Sequence, residues 1–213
     1  LEQIISAMLD VSRIDAQALD IRTAAISVAA AVKMAVDNYK DAIRDRKMNV
    51  QMVELDSLPP VQGDLQRLCQ AFGNLVGNAI KFTPDGGAIV ISGRTLEDNS
   101  NGHPLRFVEI MFADTGIGID IADQALIFEK FYRVGAVELH STGTTKFKGA
   151  GPGLGLPIAK GVVQAHGGKI WVESPGHDET RMPGSTFHIV LPVASPASVT
   201  GPLRGTGPLR GKI

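Results

Sequence analysis

What this chain lacks narrows its chemistry before any motif is read. A single cysteine, Cys69, excludes an internal disulfide framework and any cysteine-rich zinc site. No apolar run reaches the roughly 18 residues that a membrane-spanning helix needs. Charge of one sign is missing too, and a net charge of −1 removes any global electrostatic case for nucleic acid or an anionic membrane. The histidines His103, His140, His166, His177 and His188 are scattered, none at metal-ligand spacing from another, and all are assigned to structure or solvent. No Gly-x-Ser-x-Gly elbow supports nucleophilic hydrolysis. A P-loop fails because Gly168-Lys169 and Gly211-Lys212 are each followed by Ile. A dinucleotide fingerprint fails as well, since its last glycine would fall on Leu154 or Leu156.

What is present begins with the run Leu65 to Lys81. At about 100° per residue on a helix, Leu65, Leu68, Cys69, Phe72, Leu75, Val76, Ala79 and Ile80 gather within roughly a third of the circumference. Asn74, Asn78 and Lys81 line up on the opposite side. Two amides followed by an ammonium suit a metal-bound polyphosphate better than the usual Glu, Lys and Gln of a solvated face, although Asn pairs on helices are often merely solvated. Cys69 falls on the apolar side and reads as a buried thiol.

At 213 residues the chain is long enough for one domain and an appendage. Residues 1 to about 16 carry Leu1, Ile4, Ile5, Met8 and Leu9 at helical spacing with nothing nearby to cover them, as at the end of a helix that pairs with another. A second helical pattern spans Ser27 to Asp45, and Met48 to Val53 alternates like a strand. Pro84-Asp85-Gly86-Gly87 is a turn. Two β-like runs follow, Ala88 to Arg94 and Phe107 to Ala113, joined as a hairpin through a polar loop. A helix is expected from Pro157 to His166, then strands Lys169 to Ser174 and Ser185 to Leu191. This interleaving favours an α/β sandwich with hairpin pairs over a doubly wound parallel fold. The tail after Pro192 repeats Gly-Pro-Leu-Arg-Gly and reads as a disordered end. The expected boundaries are 1–20 for the helical segment, 21–194 for the domain and 195–213 for the tail. A start at Leu1 rather than Met reads as a segment of a longer protein.

Two glycine-rich boxes could carry chemistry. Asp114-Thr115-Gly116-Ile117-Gly118-Ile119 follows a β-like run. A carboxylate at a strand end can accept a hydrogen bond from an exocyclic amine such as that of adenine, and the glycines let backbone approach a flat ring. A plain Asp-Thr-Gly turn fits that segment equally well. Gly149-Ala150-Gly151-Pro152-Gly153-Leu154-Gly155-Leu156 leads into a helix, where exposed N–H groups and the helix dipole favour an anion. Between the boxes, Val134 to Lys148 has almost no core periodicity and reads as a lid over a nucleotide. Phe128, Phe131 and Tyr132 could anchor it, and Arg133 could reach a terminal phosphate. A surface loop with aromatic anchors remains the plain alternative.

Taken in order, these boxes resemble one family. Asn74-Leu75-Val76-Gly77-Asn78-Ala79-Ile80-Lys81-Phe82, Asp114-Thr115-Gly116-Ile117-Gly118, Phe128 with Phe131-Tyr132-Arg133, Gly151 to Leu156, and Gly184-Ser185-Thr186-Phe187 follow the ATP-binding domain of sensor histidine kinases. Met8 to Asp15 is similar to the end of that family's second dimerisation helix. The resemblance spans about residues 1 to 192. It implies an α+β Bergerat-type sandwich, a mixed and mostly antiparallel sheet backed by helices and preceded by a helical segment. It further implies ATP and Mg²⁺, with Asn74 and Asn78 on the metal and phosphates and Lys81 on the phosphates. Phe82 would pack against adenine, Tyr132 would border the nucleotide, Asp114 would bind the adenine amine, and Gly116 and Gly118 would shape its surroundings. Arg133 would approach the γ-phosphate, Gly151, Gly153, Leu154, Gly155 and Leu156 the triphosphate, and Thr186 the base. Asn74, Lys81 and Arg133 are the expected catalytic set.

Three departures from the family pattern matter. No histidine here fits the phosphoacceptor, since His177-Asp178 lies near the last strands, so the acceptor is expected upstream of Leu1. Pro152 replaces a small residue and removes an N–H that could serve a phosphate. The tail repeat has no counterpart. In the hydrolysing relatives a Glu takes the place of Asn74 as base for water, which an amide cannot do. The γ-phosphoryl is therefore kept for an imidazole on another segment, within a homodimer, and then for a response regulator receiver domain. A nucleotide-gated interaction module and a hydrolysing clamp are the competing readings. A cytoplasmic location and no nucleic-acid partner are expected, whether or not the parent is membrane-anchored.

Overall fold

The computed structural model describes residues 2–16, 19–98, 105–134 and 153–194. In chain order the elements are α1 (Glu2–Asp15), β1 (Ala24–Ile26), α2 (Val28–Asp37), α3 (Lys40–Asp45), β2 (Asn49–Val53), β3 (Val61–Gly63), α4 (Leu65–Phe82), β4 (Ala88–Asp98), β5 (Leu105–Asp114), a 3₁₀ turn at Leu126–Phe128, α5 (Gly155–Ala165), β6 (Lys169–Glu173) and β7 (Ser185–Pro192). Five strands form one sheet in the order β2-β4-β5-β7-β6, and β1 pairs with β3 in a small second sheet. The β2–β4 pairing is parallel and the other three of the large sheet are antiparallel. The mixed, mostly antiparallel sandwich expected from the sequence is therefore the architecture observed.

The core forms where α4 lies on one face of this sheet. Leu68, Phe72, Leu75, Val76 and Ile80 from the helix, with Ile89, Ile91, Ile110, Phe112, Ile189 and Leu191 from the strands, are fully buried. Phe72 and Phe112 meet ring to ring at 5.6 Å across the layers. The period-two alternation of the strands and the 3.6-residue period of the helix aim these side chains at each other. Both ends of α4 are capped. Asp64 Oδ1 accepts from the N–H groups of Gln66 and Arg67 at 2.9 and 3.1 Å. At the other end the buried Arg46 guanidinium donates to the carbonyls of Ile80 and Thr83 and pairs with Asp85 at 2.7 Å. A cation there satisfies the last carbonyls and complements the helix dipole.

Several expectations are corrected. The single helix from Ser27 to Asp45 is two helices, broken at Asn38 and Tyr39. β1 and β3, each three residues long, carry too little pattern to be read from sequence. The expected hairpin also grows, with β4 running to Asp98 and β5 starting at Leu105. α1 packs on the domain instead of standing free. Val11 is buried, and Asp10 accepts hydrogen bonds from Arg67 at 2.9 Å and Gln70 at 2.7 Å. Ile5, Met8 and Leu9, on the other side of α1, remain half exposed. The tail 195–213 lies outside the described residues.

Two histidines are structural, as expected. His166 ends α5, its Nδ1–H bonded to the Val162 carbonyl at 2.7 Å and its Nε2 accepting the Asp64 N–H at 2.9 Å. His188 pairs with the buried Glu109 at 2.9 Å and stacks on Trp171 at 4.8 Å, on the sheet face away from α4.

Candidate functional site

Along the polar side of α4 runs a cleft of about 500 Å³. Asn74, Asn78 and Lys81 form its floor because residues three and four apart on a helix share a face. β5 delivers Asp114 to one end, since the strand stops there and the chain turns sharply. The buried carboxylate accepts from the Gly116 N–H at 2.8 Å through Oδ1 and from Ser185 Oγ at 2.7 Å through Oδ2. Burial pushes its pKa above the usual carboxylate value, and those two hydrogen bonds oppose the rise. Gly116 has no room for a side chain, because a Cβ would sit 2.7 Å from Asp114 Oδ1 and against the Phe82 carbonyl. Gly118 adopts φ +73° beside Gly176. Ile117, Ile119, Ile127 and Phe187 supply an apolar wall at this end.

The other end is cationic. Arg133 enters the cleft from the segment after the 3₁₀ turn, held there by Tyr132, whose hydroxyl donates to Asp123 at 2.6 Å. Lys81 Nζ lies 4.7 Å from the Phe82 ring centroid. Its pKa is lowered by burial and then by the neighbouring Arg133, with no carboxylate among the described residues to restore it. An ammonium disfavoured by burial and by a neighbouring guanidinium calls for an anion between the two. α5 begins at this end with no side chain capping it, so its first N–H groups remain available to a ligand. Gly155, its first residue, lies against the Asn74 side chain. Asn74 Nδ2 is buried and has no hydrogen-bond partner among the described residues, an orphan donor that a phosphate oxygen would satisfy.

The structure thus brings together Asn74, Asn78, Lys81, Phe82, Asp114, Gly118, Tyr132, Arg133, Gly153, Leu154, Gly155 and Leu156 around one cleft. Gly116 shapes it from behind. Thr186 is not among them, because in β7 it points to the opposite sheet face. Ser185, opposite Asp114 in the register, meets the carboxylate instead. That parity was visible in the sequence, since Phe187, Ile189 and Leu191 set the core face and Ser185 shares it. Gly151 and Pro152 lie outside the described residues, as does the expected lid apart from Val134. His177 lies at the cleft edge rather than apart from it, bridged to Gly118 across the chain. Tyr39, which the helical pattern from Ser27 to Asp45 counts only among its apolar positions, also borders the cleft. Among the described residues no three His, Cys, Asp or Glu side chains gather to hold a metal, so a cation here would need amide and phosphate oxygens.

A carboxylate and an apolar wall at one end, with cations and amides at the other, define a nucleotide-binding sandwich of the Bergerat type. A family model described as histidine kinase-, DNA gyrase B- and HSP90-like ATPase matches residues 63–195. The chain belongs to that family, and its relatives place it in the sensor histidine kinase branch. The adaptive-response sensory kinase SasA of Trichormus variabilis is 37% identical over 157 residues, covering 71% of this chain and 33% of its own length. Drug sensory protein A of Synechocystis is 32% identical over 178 residues, covering 82% of this chain and 25% of its own. Among solved structures, the mycobacterial sensor histidine kinase MprB superposes with a TM-score of 0.61 at 27% identity, covering 80% of this chain and 97% of that one. The chain spans a quarter to a third of the length of these two curated relatives. Among the described residues no helix is long and apolar enough to cross a membrane.

Proposed function

We propose that this domain binds Mg–ATP in the cleft and transfers its γ-phosphoryl to a histidine outside residues 1–213. The observation that carries this reading is the polarity of one cleft, with buried Asp114 at one end and, at the other, Lys81 and Arg133, which pair with no carboxylate among the described residues. Asp114 accepts the adenine amine while its own oxygens stay fixed by Gly116 and Ser185. Ile117 and Phe187 exclude water from the ring. Asn74 and Asn78 would hold Mg²⁺ through their side-chain oxygens, and the ion would supply charge neutralisation at the phosphates. Lys81, Arg133 and the first turn of α5 neutralise the rest of the developing charge. Gly153 to Leu156 lie along the phosphates.

Asn74 cannot take a proton from water, so hydrolysis in the cleft is slow and the phosphoryl group waits for an imidazole. Residues 1–20 serve as the end of a dimerisation helix, with residues 21–194 as the catalytic domain and 195–213 as a tail. The acceptor histidine lies on the paired helical segment of a homodimer, and a response regulator receiver domain takes the phosphate onward. A cytoplasmic location follows from that partner.

Titration of ATP with Mg²⁺ into the domain, with Asp114→Asn as control, tests the site. Phosphotransfer to an added acceptor-histidine segment tests the reaction. Binding that survives Asp114→Asn would refute the adenine assignment, and hydrolysis without transfer would refute the kinase reading.

A further inference from the structure

Tyr39 stands where the sequence expects an unbroken helix. The chain turns there instead, with Tyr39 at φ −113° and ψ 9° between α2 and α3. The turn lays its ring on α4 at Gly73 and Gly77. A Cβ at Gly77 would lie 2.6 Å from Tyr39 Oη and 3.1 Å from Cζ, and one at Gly73 would lie 4.0 Å from Cε2. Glycines four apart share a helix face, so together they open a notch that the phenol fills. Such glycines each cost a helix interior about 1 kcal/mol against alanine, which makes their presence informative.

Gly77 immediately precedes Asn78 and lies between Asn74 and Lys81 on the helix. The phenol therefore rests on the shoulder of the polar stripe and borders the cleft. Its hydroxyl makes no hydrogen bond among the described residues. Burial raises its pKa, so the oxygen keeps its proton and remains a donor. A packed ring whose hydroxyl bonds to no described residue, on the edge of a cleft floored by two amides and an ammonium, is placed to donate to a ligand there.

We propose that Tyr39 is a further ligand-contacting residue of this site, its hydroxyl donating a hydrogen bond to the phosphate chain of the nucleotide beside Asn78 and Lys81. The inference rests on the Mg–ATP reading above. It gives Gly77 a role that neither core packing nor phosphate contact explains, since any side chain there displaces the phenol from the cleft.

The variant Tyr39→Phe keeps the ring in its notch and removes only the hydroxyl. Mg–ATP and adenosine are titrated separately into the wild-type domain and the variant, and both proteins are melted. The expected result is a Kd for Mg–ATP raised about five- to tenfold, as for one hydrogen bond to a charged group. Adenosine affinity and melting temperature stay unchanged. Equal affinity of both proteins for Mg–ATP overturns the proposal. A parallel loss of adenosine binding with a lower melting temperature also overturns it, by assigning Tyr39 to packing. Gly77→Ala displaces the hydroxyl without deleting it. It should weaken Mg–ATP binding in the wild type and add little in Tyr39→Phe, whereas fully additive losses would contradict the contact. Failure of the wild type to bind Mg–ATP would remove the underlying reading as well, a result separate from any difference between variants.

Discussion

At one end of the cleft both oxygens of Asp114 are already engaged by the protein, while at the other Asn74 Nδ2 is buried without a partner. The Asp114 end is tight as well as bonded. Gly116 and Gly184 are pressed against it, and the Gly184 N–H donates to the Gly116 carbonyl at 2.9 Å. The opposite end holds two cations whose nearness is unfavourable in the free domain. The first arrangement is a template finished before the ligand arrives, and it recognises a shape. The second is incomplete until an anion enters, and it recognises charge. Damage at the first end should therefore cost fold and binding together, whereas damage at the second should cost binding alone.

The largest expected effect tests the finished end. Asp114→Asn keeps the acceptor for Gly116 but turns an amide toward the adenine amine, setting donor against donor. The Kd for Mg–ATP should rise by about a hundredfold or more, measured by calorimetry, because a buried donor is left unpaired. Gly184→Ala attacks the same end through the backbone. At φ +76° its methyl meets the Asp114 carbonyl, and the domain should lose about 2–3 kcal/mol of stability in a urea titration.

Lys81→Met sharpens the contrast. It should weaken Mg–ATP binding about tenfold, as for one charge-assisted contact, yet leave the melting temperature of the free domain equal or higher. The charged form of Lys81 is disfavoured in the free domain, and a bound phosphate favours it. Binding therefore takes up a proton at alkaline pH, and ATP affinity falls as pH rises through the Lys81 pKa of the complex. Calorimetry at pH 9 in buffers of different ionisation enthalpy would show that uptake in the wild type and its loss in Lys81→Met.

The smallest effect is a control remote from both ends. Burial holds His166 below the usual histidine pKa, so the unfolded chain binds the proton first as pH falls. Stability should decline from about pH 6.5 downward until the folded-state pKa is reached. Urea unfolding at pH 7 and pH 5 would show this slope, and His166→Gln should flatten it.

Much of this architecture was legible because its elements repeat their own period. The apolar stripe of α4 and the alternation of β4, β5 and β7 each specify a buried face without reference to the rest of the chain. Asn74, Asn78 and Lys81 were legible for the same reason, lying on the face that those apolar residues leave over. Thr186 was misplaced for the opposite reason, since a motif box names neighbours without saying which way a strand points. His177 was set aside because its nearness to Gly118 depends on how the segment between β6 and β7 folds back, which no local pattern encodes.

By itself the sequence determined which residues are apolar at which period, where glycine permits close backbone, and that no cysteine framework, P-loop or nucleophile elbow competes. These are local properties, fixed by side-chain chemistry and spacing. Only the tertiary structure decided that β2 joins the sheet in parallel, that the helix after Ser27 breaks at Tyr39, and that Ser185 rather than Thr186 holds Asp114. Each of those depends on contacts between residues far apart in the chain, such as Tyr39 with Gly77 and Asp114 with Ser185. Their energy exists only once the layers have packed.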